Sequence, residues 1–246
     1  MLAWAPGAPR CGGNSLMKKL VWLFDVDGTL IRSYGAARKA FAEGARVVLG
    51  LEDDLESLSF AGRTDPLILR DILRRHGREL DEAGTARFWR VVRVLMEAEL
   101  QTGRGRVLPG VLPLLDAIHR EAAWVAGLLT GNNAAMARLK LDHFGLADAF
   151  AFGAFGDDAP DRDAMARRAV AEARARWSVP PERCIVVGDT EHDVQCARAA
   201  GARVVAVATG MCGRSELEAR APDLLLDDLS DTAALLAWAR GVVNGA

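Results

Sequence analysis

Lysine is scarce in this chain. It stands only at positions 18, 19, 39 and 140, and arginine supplies nearly all other positive charge. A site that needs a cation in the second half therefore has one lysine and many arginines to draw on. Cysteine is also scarce. Cys11, Cys184, Cys196 and Cys212 have no paired spacing, which excludes a disulfide framework and a zinc site and favours a reducing cytoplasm. No excess of either charge exists: 31 basic against 33 acidic residues leaves a formal charge of -2. That removes the electrostatic case for nucleic acid or an anionic membrane as partner. No apolar run approaches the roughly 18 residues needed to span a bilayer.

Half of the residues are hydrophobic, enough for a substantial core, and the length of 246 suits one large domain or two small ones. Residues 1–16 are rich in Gly, Pro and Ala and lack periodicity. They are expected to form a disordered extension, and their composition makes a poor signal peptide. Met17-Lys18-Lys19 would be a more natural start.

The organising stretch is Leu20-Val21-Trp22-Leu23-Phe24-Asp25-Val26-Asp27-Gly28-Thr29-Leu30. Its apolar lead-in reads as a buried strand. Two carboxylates then follow two positions apart, and a strand interior would not tolerate them unpaired. Asp25 and Asp27 should sit just past the strand's carboxyl end, the edge where parallel α/β sheets bind ligands. Gly28 permits a sharp turn at positive φ. Two acids this close raise each other's pKa unless a cation intervenes, and a hard divalent ion such as magnesium suits oxygen ligands. One carboxylate can then attack phosphorus while the other exchanges a proton with the leaving group. The plain alternative is a pair of turn or capping aspartates.

Asp25-Val26-Asp27-Gly28-Thr29-Leu30 resembles the first motif of the haloacid dehalogenase-like hydrolase superfamily in its phosphatase form. Later segments follow in matching order, among them expected helices over 111–120 and 194–200 and an expected strand over 150–155. The apolar run Trp124 to Leu129 ends in Thr130-Gly131-Asn132-Asn133, similar to the family's second motif. Alone, Thr130 reads as a helix cap; with Gly131 and the start of a helix, whose N-cap is Asn133, it reads as a phosphate seat. Cys184-Ile185-Val186-Val187-Gly188 leads into Asp189-Thr190-Glu191-His192-Asp193, which resembles the fourth motif. The third motif usually supplies a lysine, often before proline, and this chain departs from that pattern. Arg162, at the start of a helix over 164–177, is the expected replacement. Its alternative role is an ion pair with Asp158 or Asp161. Lys140 is the runner-up, on a helical stretch read as peripheral. His192 is read as a solvated loop residue.

Between residues 33 and 104 the strand-helix rhythm stops. Helical spacing is expected over 36–49, 66–76 and 85–100, with Thr64 or Asp65 as an N-cap before Pro66. The resemblance makes this insert a helical cap, and residues 17–32 with 105–246 the core. Arg63, in Gly62-Arg63-Thr64-Asp65, would reach the far end of the substrate, by resemblance to phosphoglycolate phosphatase-like and phosphomutase-like members; its alternative is an ion pair with Asp65 or a place on an exposed helix face.

The fold implied is a Rossmann-like parallel sheet with an all-α cap. The implied activity is magnesium-dependent hydrolysis of a small phosphorylated metabolite through an aspartyl-phosphate. Asp25 would be the nucleophile and Asp27 the acid and base. Thr130 and Arg162 would clamp the phosphoryl group, and Gly28, Arg63, Gly131 and Asn132 would line the substrate site. Asp25, Asp27, Asp189 and Asp193 would serve the metal, Asp27 through its backbone carbonyl and Asp193 through a bound water or by orienting the loop. Asp27 argues against halide displacement, and the lysine-poor insert argues against a Schiff-base phosphonatase. A phosphomutase, a phosphorelay receiver or a non-catalytic phosphate binder are the alternative functions. A monomer or homodimer without nucleic-acid or membrane partners is expected.

Overall fold

A computed structural model describes residues 20–245. The expected extension over 1–16 lies outside the described residues. In chain order the elements are β1 (Leu20–Phe24), β2 (Ile31–Arg32), α1 (Ala36–Leu49), α2 (Asp65–Arg75), α3 (Glu82–Leu100), β3 (Arg106–Val107), α4 (Val111–Arg120), β4 (Trp124–Thr130), α5 (Ala134–His143), β5 (Gly153–Phe155), α6 (Arg162–Trp177), β6 (Cys184–Gly188), α7 (Glu191–Ala199), β7 (Arg203–Val207), α8 (Arg214–Glu218), β8 (Leu224–Leu226) and α9 (Thr232–Asn244).

The six main strands form one parallel sheet in the order β5-β4-β1-β6-β7-β8. β1 is therefore central. Its alternate residues serve both faces: Leu20, Trp22 and Phe24 pack into one core, Val21 and Leu23 into the other. Helices cover both faces, which is why this strand reads as continuous hydrophobic sequence. The chain runs from β1 to β4 and β5 on one side, then returns through β6 to β7 and β8 on the other. This reversal opens a crevice at the carboxyl end of β1.

β2 and β3 form a short antiparallel ribbon at the two ends of the helical insert. Between them α1, α2 and α3 bury their own cluster, including Phe41, Ile72, Phe88, Val92 and Met96. The apolar spacing of helix 36–49 places Ala40, Phe41 and Ala45 on that buried face. Asp81 caps α3 by accepting the Gly84 N–H at 2.7 Å. Thr64 occupies the N-cap position of α2 with Pro66 just inside, but its hydroxyl makes no capping bond.

The strand expected over 150–155 is shorter, Gly153–Phe155, although just before it the Ala151 N–H donates to Ala126 O and Phe152 O accepts from the Leu128 N–H of β4. The helix expected from 164 begins at Arg162, since Asp161 accepts the Ala164 N–H and caps it there. The helix after β6 begins at Glu191, because Asp193 accepts the Thr190 N–H and hydroxyl.

Candidate active site

Five segments bring polar side chains to the carboxyl edge around β1. Asp25 follows β1 directly and is 6% exposed. The chain then turns at Gly28, whose φ is +85°. That turn presses backbone against Asp189: a Cβ at Gly28 would lie 2.4 Å from Asp189 Oδ2. Thr29 Oγ1 donates to Asp189 Oδ1 at 3.1 Å. Thus the loop after β1 also fixes the carboxylate that follows β6.

Carboxylate oxygens of Asp25, Asp189 and Asp193 lie within 4.8 Å of one another, and all three side chains are buried. Burial pushes the Asp25 carboxyl up to about 6, opposed by Arg162 and reinforced by Asp193 and Asp27. Burial also raises Asp189 far above the ordinary range, helped by Asp25 and Asp193. Such a cluster needs positive charge to stay ionised at neutral pH. Its donors are all oxygen, and Asp189 is tightly cradled, so the residues fit a hard divalent cation.

Arg162 supplies one fixed charge. The sequence offered Asp158 or Asp161 as its partners; instead its guanidinium lies 3.3 Å from Asp25 Oδ2 and contacts Asp193 Oδ1. Asp193 is thereby tied to Arg162 and to the start of α7, which orients the loop after β6. Arg162 Nε is buried and has no hydrogen-bond partner among the described residues.

Thr130 ends β4 and is fully buried. Its Oγ1 accepts from Asn132 Nδ2 at 2.9 Å and from Asn132 N at 3.4 Å. The helix behind it is less open than expected. Asn133 N–H donates to Asp65 Oδ2, Ala134 N–H to Asp157 Oδ1, and Met136 N–H to the Asn133 side chain. Side chains therefore occupy the amide end of α5 that the sequence suggested as part of the phosphate seat.

Two residues stand elsewhere than their sequence context suggests. Lys140 is not peripheral. It is 1% exposed, and its Nζ donates to Asp27 Oδ2 at 2.5 Å and Asn132 Oδ1 at 2.6 Å. The buried face of α5 is Met136, Ala137, Lys140 and Leu141, so helical spacing held the signal for its position. His192 is not a free loop residue either. It belongs to α7 and packs against the insert, where a Cβ on Gly62 would come within 2.2 Å of its ring.

The insert closes over this edge. Asp65, at the start of α2, donates its N–H to Gly131 O at 2.8 Å while accepting from Asn133. Gly131 is needed for this approach, because a Cβ there would sit 2.2 Å from Arg63 O. Burial drives the Asp65 carboxyl up to about 7 despite nearby Lys140. Arg63 pairs with Asp71, not with Asp65 as its alternative role had suggested. A cavity of about 720 Å³ lies beneath, lined by Asp25, Asp27, Gly28, Arg63, Thr130, Gly131, Asn132, Arg162 and Asp189 among others. Asp193 stands behind this lining, and Tyr34, Phe60 and Met211 form an apolar part of the wall.

Fold and site together define an α/β enzyme with a carboxylate cluster at a sheet switch point, closed by helices. Comparison with known proteins agrees. A model of the haloacid dehalogenase-like hydrolases matches residues 21–201. A phosphoglycolate phosphatase of Synechococcus elongatus is 30% identical over 213 residues, covering 85% of this chain and 93% of the relative. The fructose-1-phosphate phosphatase YqaB of Escherichia coli is 28% identical over 200 residues, covering 75% and 94%. The crystal structure of a β-phosphoglucomutase of Clostridium difficile shares the fold with a TM-score of 0.68, at 19% identity over 93% of this chain and 98% of that one. The chain belongs to the haloacid dehalogenase-like hydrolases and is a phosphatase. No described helix is long and apolar enough to cross a membrane.

Proposed function

We propose that this phosphatase hydrolyses the monoester of a small phosphorylated metabolite through an aspartyl-phosphate on Asp25, with magnesium bound at the cluster. One observation carries the reading. The Asp25 carboxylate, next to Arg162 and grouped with Asp189 and Asp193, faces the same cavity as Asp27 and Thr130.

In the first half-reaction an Asp25 oxygen attacks phosphorus and the bond from phosphorus to the leaving oxygen breaks. Asp27 gives its proton to that oxygen. In the second, Asp27 takes a proton from water, whose oxygen attacks the phosphoryl group and releases Asp25. Thr130 Oγ1 accepts from Asn132, so its own O–H is free to turn toward a phosphoryl oxygen. Arg162, which lines the same cavity, brings charge to that group. Asp25, Asp189 and the Asp27 backbone carbonyl would hold the magnesium, with Asp193 fixing the loop. Bound there, the ion would reduce repulsion between the nucleophile and the phosphate dianion.

Residues 33–104 act as a cap over a core whose described part is 20–32 and 105–245, excluding bulk water and contacting the leaving group. Gly28, Gly131, Asn132 and Arg63 line the substrate space. The test is a magnesium-dependent assay with p-nitrophenyl phosphate, phosphoglycolate and fructose 1-phosphate, with Asp25→Asn as control. Turnover by the native protein and none by the variant is expected. Turnover by Asp25→Asn at the native rate would refute the covalent route.

A further inference from the structure

Lys140 is a buried cation that the scheme above leaves without a task. Its side chain is 2% exposed, and an ammonium in such a place is costly unless every contact is favourable. Its contacts are specific. Nζ donates to Asp27 Oδ2 at 2.5 Å and to Asn132 Oδ1 at 2.6 Å. With its oxygen facing the ammonium, the Asn132 amide must turn its nitrogen the other way. Asn132 Nδ2 then donates to the same Asp27 Oδ2 at 2.8 Å and to Thr130 Oγ1 at 2.9 Å.

Both donors therefore converge on one oxygen of Asp27. The other, Oδ1, has Ser33 Oγ at 3.5 Å, the limit of a hydrogen bond. The two buried cations also divide the two aspartates. Arg162 lies against Asp25, whereas Lys140 lies against Asp27.

We propose that Lys140 is a positioning residue: through Asn132 and Asp27 Oδ2 it turns Asp27 so that Oδ1 exchanges the proton with the leaving oxygen. The inference rests on the acid role given to Asp27 above. A rotated Asp27 would still be present but would present the wrong oxygen. Loss of Lys140 should then affect protonation of the leaving group and spare attack by Asp25.

Leaving-group chemistry separates these steps. p-Nitrophenolate departs readily without a proton, whereas an alkoxide does not. The experiment compares the native protein with Lys140→Met, which keeps chain length and loses charge, in the presence of magnesium. It measures the first turnover: the burst of p-nitrophenol from p-nitrophenyl phosphate, and alcohol release from whichever alkyl phosphate the native protein hydrolyses. A general acid is worth roughly 100- to 10,000-fold. Lys140→Met should slow alcohol release by about 100-fold or more while the p-nitrophenol burst falls less than about 10-fold. KM should change little for either substrate.

An equal fall on both substrates would overturn the inference and make Lys140 a phosphoryl clamp or a purely structural group. So would a rise confined to KM. Thermal melting checks the fold; should Lys140→Met unfold, Lys140→Gln keeps a donor without charge and is held to the same comparison. A native protein that gives neither a p-nitrophenol burst nor alcohol would overturn the covalent reading and this inference with it. A native protein active on both with no leaving-group selectivity in the variant overturns this inference alone.

Discussion

Replacing Arg162 with Met should make the stability of this protein depend steeply on pH. The guanidinium lies 3.3 Å from Asp25 Oδ2 and also contacts Asp193; these side chains are 8% and 1% exposed. At an effective dielectric of about 20, a charge pair at that distance is worth about 5 kcal/mol. Removing one partner of a buried pair costs about 3–5 kcal/mol, because the remaining charge is left uncompensated. For a chain of this size that is a fall of about 6–20 °C in melting temperature. The protein can escape the cost by protonating Asp25. Its pKa is already held up at about 6 by burial, and Arg162 is the main influence lowering it. In Arg162→Met the folded pKa rises further, while in the unfolded chain Asp ionises near its usual value of about 3.9. Between those values the unfolded chain has lost a proton that the folded chain keeps, so stability falls as pH rises. Urea denaturation in chelator at pH 5 and pH 8 reads this directly. The deficit relative to the native protein should be small at pH 5 and approach its full size at pH 8. Equal deficits at both pH values, or a deficit under about 1 kcal/mol at pH 8, would refute the charge-compensation argument.

Two further outcomes follow from the same contacts. Gly131→Ala places a Cβ 2.2 Å from Arg63 O and should break the paired bonds between Asp65 and the loop 131–133; at about 1 kcal/mol for the neutral bond and about 1.5–3 for the charged one, a loss of about 2.5–4 kcal/mol in urea denaturation is expected, with a lower kcat/KM, and native values in both would argue against the close approach. Asp189→Asn removes a carboxyl raised by burial and by its neighbours, so the chelated protein should melt higher at pH 8 and should lose most of the melting increase that magnesium brings to the native protein; an undiminished increase would place the ion elsewhere.

The fold was legible because its central strand is unusual. Leu20 to Phe24 is apolar on both faces, then meets a charge, which only a buried parallel strand ending at an open edge explains. Helices over 36–49 and 111–120 show strong apolar periodicity and have the expected bounds. Errors arose where a side chain overrides periodicity. Asp161 and Asp193 pull the starts of α6 and α7 back by two and three residues, through hydrogen bonds that a hydrophobic pattern does not record. The fifth strand keeps only Gly153–Phe155 of its expected span, although Ala151 and Phe152 still hydrogen-bond to β4. Lys140 runs against its residue type. Its position on the α5 stripe is readable, but a lysine is normally taken for surface, and it is Asp27 and Asn132, with Asp65 nearby, that make its burial tolerable.

Charge compensation explains why this edge could not have been assembled from any single segment. Asp25, Asp189 and Asp193 are each buried among like charges, an arrangement that burial alone would penalise by several kcal/mol per ion. Arg162 answers part of that cost from the start of α6. Lys140, on α5, answers the separate charge of Asp27, which stays partly exposed at the cavity wall. Asp65 comes from the insert to cap the amides of α5, so a negative group from outside the sheet occupies the place where a helix end would otherwise draw an anion. The consequence is directional. With these α5 amides already taken, Arg162 stands as the cation beside Asp25, and the Thr130 hydroxyl and Lys140 lie with Asn132 on the Asp27 side of the same cavity. Under the reaction proposed above, a phosphate entering this cavity would be drawn by Arg162 toward Asp25, and the leaving group would face Asp27 and the apolar wall of Tyr34, Phe60 and Met211.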